Sequence, residues 1–270
     1  SGVTQINILI GTIIASFQSG AVSYLYYADR VYQLNLAIAG IAVSTVSLPI
    51  LSKLIKNKKK NEANNIQNKS IELSFLLSLP AGAALIIGSE EIVNSLFGYG
   101  SFSENDIKMT ALALKYFGYG IPAFSALKIF ANFFFARDNT IIPFKISSLI
   151  VFVNLIMSIS FFKSLGFIII PIATSISTWI GVILYLIILK KINFLTIKKT
   201  LYNNFAKIML STLIAIYSFY WCLSYFAQNL VYSSKFKILY LLFIVIFVAL
   251  LYFFTCYLFK VLNLRKFRVR

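Results

Sequence analysis

One arginine stands inside a long apolar run. Arg30 lies within Gly20–Lys53, and helical spacing of three and four residues puts Ser23, Tyr26, Tyr27, Arg30 and Gln33 on a single stripe. A guanidinium presents a planar fork of donors that matches phosphate or carboxylate oxygens, so this stripe reads as an anion-binding face. The alternative is that Arg30 pairs with an acid elsewhere in a helix bundle. Asp29, its neighbour, points about 100° away on a helix and either caps local backbone or pairs with another helix. Lys128 shares a helical face with Ser125 and Asn132. It either joins the same anion-binding region or snorkels to the interface near Arg137. Lys115, in the same apolar segment, reads as snorkelling towards the opposite interface. Ionised groups at membrane depth cost at least about 2.5–3.5 kcal/mol each, which is why they normally face a hydrated cavity or a partner.

Other polar residues recur at helical spacing: Gln5, Thr12, Ser16 and Ser19; Ser147, Asn154 and Ser158; Thr174, Ser177 or Thr178, and Gly181. Each set alone is ordinary helix–helix glue. Together with Arg30 they predict a hydrated groove. Catalytic constellations are missing: there is no His, no P-loop, no HExxH and no nucleophile elbow, so no enzyme activity is expected. Cys222 and Cys256 lie within apolar runs and read as small hydrophobes, with neither disulfide nor metal spacing.

The elements that must position these residues are membrane helices. Of the 270 residues, 59% are hydrophobic and 12% charged, and mean hydropathy is +0.84. Soluble domains carry about twice that charge, so an ordinary soluble fold is excluded. The pattern predicts an all-α, polytopic bundle of about eight transmembrane helices: Val3–Gln18, Gly20–Lys53, Ser70–Ser89, Ile107–Arg137, Ile141–Phe162, Phe167–Lys190, Ala206–Phe226 and Lys237–Lys260. The last two are almost uniformly apolar and read as peripheral. Loop charges alternate between the two sides. Eighteen Lys and Arg fall on one side, including Lys56, Lys58, Lys59, Lys60 and the run Arg265–Arg270. Four (Lys108, Lys163, Lys235 and Lys237) fall on the other, beside an acidic turn with Glu90, Glu91, Glu104 and Asp106. The basic side is expected to be cytoplasmic, with both chain ends there. The formal charge of +17 is then a matter of orientation and anionic lipid headgroups, not of nucleic acid. The chain begins Ser-Gly-Val-Thr, without Met, and sequence upstream is expected.

The run Gly-Ala-Val-Ser-Tyr-Leu-Tyr-Tyr-Ala-Asp-Arg at 20–30, followed by Leu-Pro-Ile-Leu-Ser-Lys at 48–53, resembles the MurJ/MviN lipid II flippases of the multidrug/oligosaccharidyl-lipid/polysaccharide exporter superfamily. Leu-Phe-Gly-Tyr-Gly-Ser-Phe at 96–102 and Phe-Phe-Ala-Arg-Asp-Asn-Thr at 134–140 with Pro143 are similar to later signatures of that family. The resemblance implies a fold of fourteen helices in two lobes, with residues 1–270 as the C-terminal lobe, helices seven to fourteen, and an N-terminal lobe as partner. It implies movement of lipid II from the cytoplasmic to the periplasmic leaflet of the bacterial inner membrane by alternating access. The implied headgroup site comprises Arg30 and Ser23, with Asp29, Gln33 and Lys128 as companions. Some members hold sodium with carboxylates on two helices; the matching positions here, Gly11 and Ser158, are neutral, which leaves Asn154 and Thr174 as oxygen ligands for a cation. No cofactor is expected, and the coupling ion, sodium or proton, is left open. The competing readings are export of another lipid-linked oligosaccharide or a drug, and a non-transporting scaffold for cell-wall enzymes.

Overall fold

In lipid every backbone N–H and C=O must be satisfied within the segment, and apolar runs of this length become helices. The computed structural model describes residues 2–261, with side chains from residue 9 onward, and it is helical throughout these residues apart from turns and linkers. The run Arg265–Arg270 and the Gln5 side chain, both invoked above, lie outside the described residues. The helices are α1 (Gly2–Ala15), α2 (Ala21–Leu36), α3 (Ala42–Lys56), α4 (Lys60–Ile87), α5 (Ser89–Phe97), α6 (Glu104–Gly118), α7 (Ile121–Phe135), α8 (Ile141–Leu165), α9 (Ile169–Lys191), α10 (Lys199–Tyr225) and α11 (Lys237–Leu258). A π-helical turn, Ala37–Ile41, joins α2 to α3 without a break. Five continuous stretches are long and apolar enough to cross a membrane, and one of them, Ile141–Lys191, contains the antiparallel pair α8 and α9.

Contacts between linkers sort the loops into two ends. At one end, Asn64 and Asn68 of α4 donate to the Thr196 carbonyl at 3.0 and 2.9 Å, and Arg137 donates to the Phe194 carbonyl at 3.3 Å. At the other, the Phe167 amide donates to Gln18 Oε1 at 2.8 Å, and Asn94 donates to the Leu230 carbonyl at 2.7 Å. This is the alternation that the charge count requires: the lysine-rich linkers share the first end and the acidic turn lies at the second.

Four elements differ from the expectation, the simplest being α10, which begins at Lys199 and not at Ala206. α4 begins at Lys60, ten residues ahead of its apolar stretch. Beside the buried Ala63, amides hold its first turns: Asn64 and Asn68 also accept from the Thr196 and Lys198 amides at 2.9 and 3.0 Å, and the Lys198 ammonium bonds Asn65. The segment expected at Ile107–Arg137 is two helices, broken at Tyr119-Gly120 with Pro122 in the first turn of α7. The carbonyls freed by the break are taken by α9, where Ser175 Oγ bonds the Tyr116 carbonyl at 2.7 Å and Trp179 Nε1 that of Tyr119 at 3.0 Å. α4 crosses this break in near-contact, and a Cβ at Gly82 would lie 2.8 Å from the Gly118 carbonyl oxygen. Finally, part of the acidic turn is helical, as α5.

α6 starts with a reciprocal cap. The Asp106 amide donates to Ser103 Oγ at 3.2 Å, and the Ser103 amide donates to Asp106 Oδ2 at 2.8 Å. The Ser103 hydroxyl also donates to Asp106 Oδ2 at 2.7 Å, and this bond, with that from the Ser103 amide, holds the Asp106 carboxyl below its ordinary range. A lowered carboxyl stabilises the fold fully above its ordinary pKa, and that contribution disappears as pH falls through the lowered one. Ser103→Ala should therefore cost about 1 kcal/mol near neutrality and progressively less in strong acid, read by thermal unfolding across a pH series.

The packed interior divides into an outer cluster around Tyr32, Phe117, Phe167 and Phe219, an inner cluster around Leu51, Phe130, Phe134 and Tyr185, and a smaller one joining α4, α10 and α11 through Leu76, Ile208 and Tyr252. α10 and α11 keep most of their apolar side chains exposed, as peripheral helices facing lipid would.

Candidate anion-binding site

α2 is held by the buried face Ala21, Ala28, Val31 and Tyr32, with the Tyr32 ring against Phe117 at 5.1 Å and Phe124 at 5.3 Å between centroids. Fixing that face turns the opposite one outward. Ser23, Tyr26, Arg30 and Gln33 are all exposed, while Tyr27 is half-buried. The open face continues below them through Leu34, Ile38, Ile41, Val46 and Ile50, all exposed, so it is polar above and aliphatic below. Thr12, Ser16 and Ser19 are likewise exposed.

The Arg30 guanidinium lies over the Tyr26 ring, 4.7 Å from its centroid, and Nη2 donates to the Tyr26 hydroxyl at 3.1 Å. Lys59 and Glu62 form an ion pair at 3.0 Å, whereas Arg30 takes part in no salt bridge among the described residues. The charge is therefore neither buried nor locked in a salt bridge with an acid. Tyr26, one turn earlier, orients the fork while most of its donors stay free. Tyr26 was legible as a member of the stripe, but its role was not, because stacking depends on side-chain rotamers. Asp29 is half-buried and bonded to the Gln33 amide, one turn along the same helix. It thus braces a member of the open face and pairs with no other helix.

Lys128 is exposed, whereas its face-mates Ser125 and Asn132 are buried. Asn132 Nδ2 donates to the Ser44 carbonyl and hydroxyl, both at 2.7 Å, and Ser125 packs on Gly40 in the π-helical turn. Lys128 emerges between these two contacts, on the side of α7 that meets the α2–α3 helix.

The groove expected from the polar stripes of α8 and α9 is corrected by the structure. Asn154 is 3% and Ser158 1% exposed. Asn154 Nδ2 donates to Thr174 Oγ1 at 2.8 Å, Ser158 Oγ donates to Asn154 Oδ1 at 3.2 Å, and Thr174 Oγ1 donates to the Ile170 carbonyl at 2.7 Å. Ser177 and Thr178 bond the Thr174 carbonyl at 3.1 and 2.7 Å, and Gly181 is buried where Ile150 and Leu127 converge. The Asn154–Thr174 bond ties α8 to α9, and the hydroxyls find backbone or amide partners on their own helices, as helices in lipid require. Asn154 and Thr174 are brought together, as donor and acceptor. No cluster of three or more Cys, Asp or Glu able to hold a metal occurs among the described residues.

A second opening, an apolar cavity of about 350 Å³, lies between α2, α4, α10 and α11. Its walls include Val31, Pro80, Phe219, Leu241 and Val248, with Asn35 of α2 as a polar exception. The helix that turns Arg30 outward thus borders this cavity with another of its faces.

Helix order and the cationic open face define a multi-pass helical membrane protein. The family model of the lipid II flippase MurJ matches residues 1–241. A probable lipid II flippase MurJ from Rhizobium meliloti (strain 1021) is 44% identical over 183 residues, covering 68% of this chain and 34% of the relative. The corresponding protein of Rickettsia prowazekii (strain Madrid E) is 41% identical over 179 residues, 66% of this chain and 35% of the relative. A solved lipid II flippase MurJ in an inward closed conformation superposes with a TM-score of 0.79 at 27% identity, over 95% of this chain and 51% of that one. A MOP superfamily transporter from Pyrococcus furiosus, 16% identical, shares the fold with a TM-score of 0.59. The chain belongs to the MurJ lipid II flippase family. It spans about a third of the length of these curated relatives and about half of the solved flippase.

Proposed function

We propose that residues 1–270 form the C-terminal lobe, helices seven to fourteen, of a flippase that carries lipid II across the bacterial inner membrane, with an N-terminal lobe of the same protein facing the open side of α2 and α3. The basic end is cytoplasmic, both chain ends lie there, and its lysines contact anionic lipid headgroups. The observation that carries this reading is the Arg30 guanidinium, exposed on an uncovered helix face, stacked on Tyr26 and paired with no acid.

A pyrophosphate headgroup cannot enter about 30 Å of hydrocarbon uncompensated. Arg30 replaces part of its hydration with charge-assisted hydrogen bonds. Ser23 and Gln33 add neutral donors on the same face, Asp29 holds Gln33 in place, and Lys128 contributes long-range charge from α7. The polyprenyl tail stays apolar throughout; a short stretch of it fits the cavity between α2, α4, α10 and α11 while the rest stays in lipid, so one helix serves both ends of the substrate. Rocking of two lobes about this face changes the leaflet that sees the headgroup. The reading includes no cofactor. A coupling sodium ion held by Asn154 and Thr174 would have to draw their oxygens out of the α8–α9 pairing described above; a proton is the other coupling ion compatible with transport. Membrane-protein function in this reading is transport and not catalysis.

The full-length gene should restore growth to cells depleted of their own lipid II flippase. Failure to do so, with the protein inserted at normal levels, would count against lipid II as the substrate.

A further inference from the structure

Lys237 begins α11 and is completely buried, at 0% exposure, although its place in the sequence is that of a loop charge. An ammonium has three N–H donors, and all three find oxygen: Asn94 Oδ1 at 3.0 Å, the Gly98 carbonyl at 2.6 Å and the Tyr232 carbonyl at 2.9 Å. The rings of Tyr99 and Tyr232 flank the charge at 4.2 and 5.0 Å. Every one of these partners is neutral. A buried cation held by dipoles alone loses its compensation as a unit, because removing one acceptor leaves a charge that only water can satisfy.

The turn that Lys237 grips also touches the arginine-bearing helix. Phe97 and Phe102 pack on the Tyr27 ring with centroids 4.9 and 5.2 Å apart, and the Tyr232 hydroxyl donates to the Phe102 carbonyl at 3.1 Å. Tyr27 precedes Arg30 by three residues. Gly98 is required at the centre, since a Cβ there would collide with Asn94. The 96–102 turn therefore joins α11 to the outer half of α2.

We propose that Lys237 is a positioning residue: by pinning the 96–102 turn it fixes the seat of Tyr27 and so the placement of Arg30. Its meaning for transport rests on the assignment of Arg30 as headgroup ligand. The placement itself is tested without transport. In the full-length protein in membranes, with its native cysteines replaced, single reporters are placed at Ala28→Cys and Ala39→Cys, both positions fully buried, the first in α2 and the second in the π-helical turn. Lys237→Met is expected to speed labelling of the first by a water-soluble thiol reagent about tenfold and to change the second by less than about twofold, because opening is local. Tyr27→Leu leaves the ammonium cage intact and should give the same split, so the result does not depend on how well Lys237→Met folds. Equal acceleration at both reporters, or none at Ala28→Cys, overturns the proposal. If Arg30 were not the headgroup ligand, the labelling split would stand unchanged.

Discussion

Arg30→Ala in the full-length protein should abolish support of growth in flippase-depleted cells while leaving membrane levels normal. Nothing in the packed interior depends on this side chain. It is exposed, and its contacts are with Tyr26 on its own helix. What the substitution removes is the donor fork at membrane depth. Hydrogen bonds to charged groups contribute about 1.5–3 kcal/mol each, so loss of one lowers headgroup affinity roughly ten- to 150-fold, and loss of two by more. Arg30→Lys keeps the charge and gives up the planar bidentate geometry, and it should retain only part of the activity. Lipid II exposure at the outer leaflet and protein abundance measured in the same cells decide the matter. Normal flipping by Arg30→Ala at normal abundance would show that Arg30 is not the headgroup ligand.

The second large effect concerns stability. Gly82→Ala should lower the thermal unfolding midpoint in detergent by roughly 5–10 °C, corresponding to about 2–3 kcal/mol. The added methyl would meet the Gly118 carbonyl oxygen at 2.8 Å and Pro122 Cδ at 3.3 Å. Both belong to the backbone break between α6 and α7, and neither can swing aside as a flexible side-chain tip would. A Cβ at Gly118 would in turn lie 3.0 Å from the Gly82 carbonyl oxygen, so the two backbones approach each other from both sides. Gly11→Ala is the matched comparison. Its methyl would meet only Ile170 Cγ2, at an ordinary 3.4 Å, and its midpoint should stay close to that of the parent. Equal midpoints for the two variants would show that the close crossing is not maintained in the folded protein.

The sequence made legible what hydropathy and charge encode. Apolar length located the spanning helices, and Lys/Arg alternation sorted the loops into the two ends that the linker contacts confirm. The stripe around Arg30 was readable because its residues are polar where lipid would demand otherwise. Hydropathy could not see the start of α4, where Asn64, Asn65 and Asn68 tie polar turns to the 196–198 linker. The break at Gly120 was also hidden, since Tyr119 and Ile121 continue the apolar run while Ser175 and Trp179 of a distant helix satisfy its carbonyls. The polar residues of α8 and α9 have the same composition as a cavity wall. Only pairing such as Asn154 with Thr174 identifies them as glue. Lys237 misled most, because a lysine at a helix end reads as solvated unless its three acceptors are known.

The uncovered side of α2 and α3 also has a practical consequence. Its aliphatic lower part suits the interior of a micelle, and its upper part, with Arg30, Gln33 and Ser23, does not. No single amphiphile matches both, so a micelle that suits one part of this face leaves the other poorly solvated. Purification should pair a detergent matched to the aliphatic part with an anionic additive beside the arginine, in preference to screening single detergents.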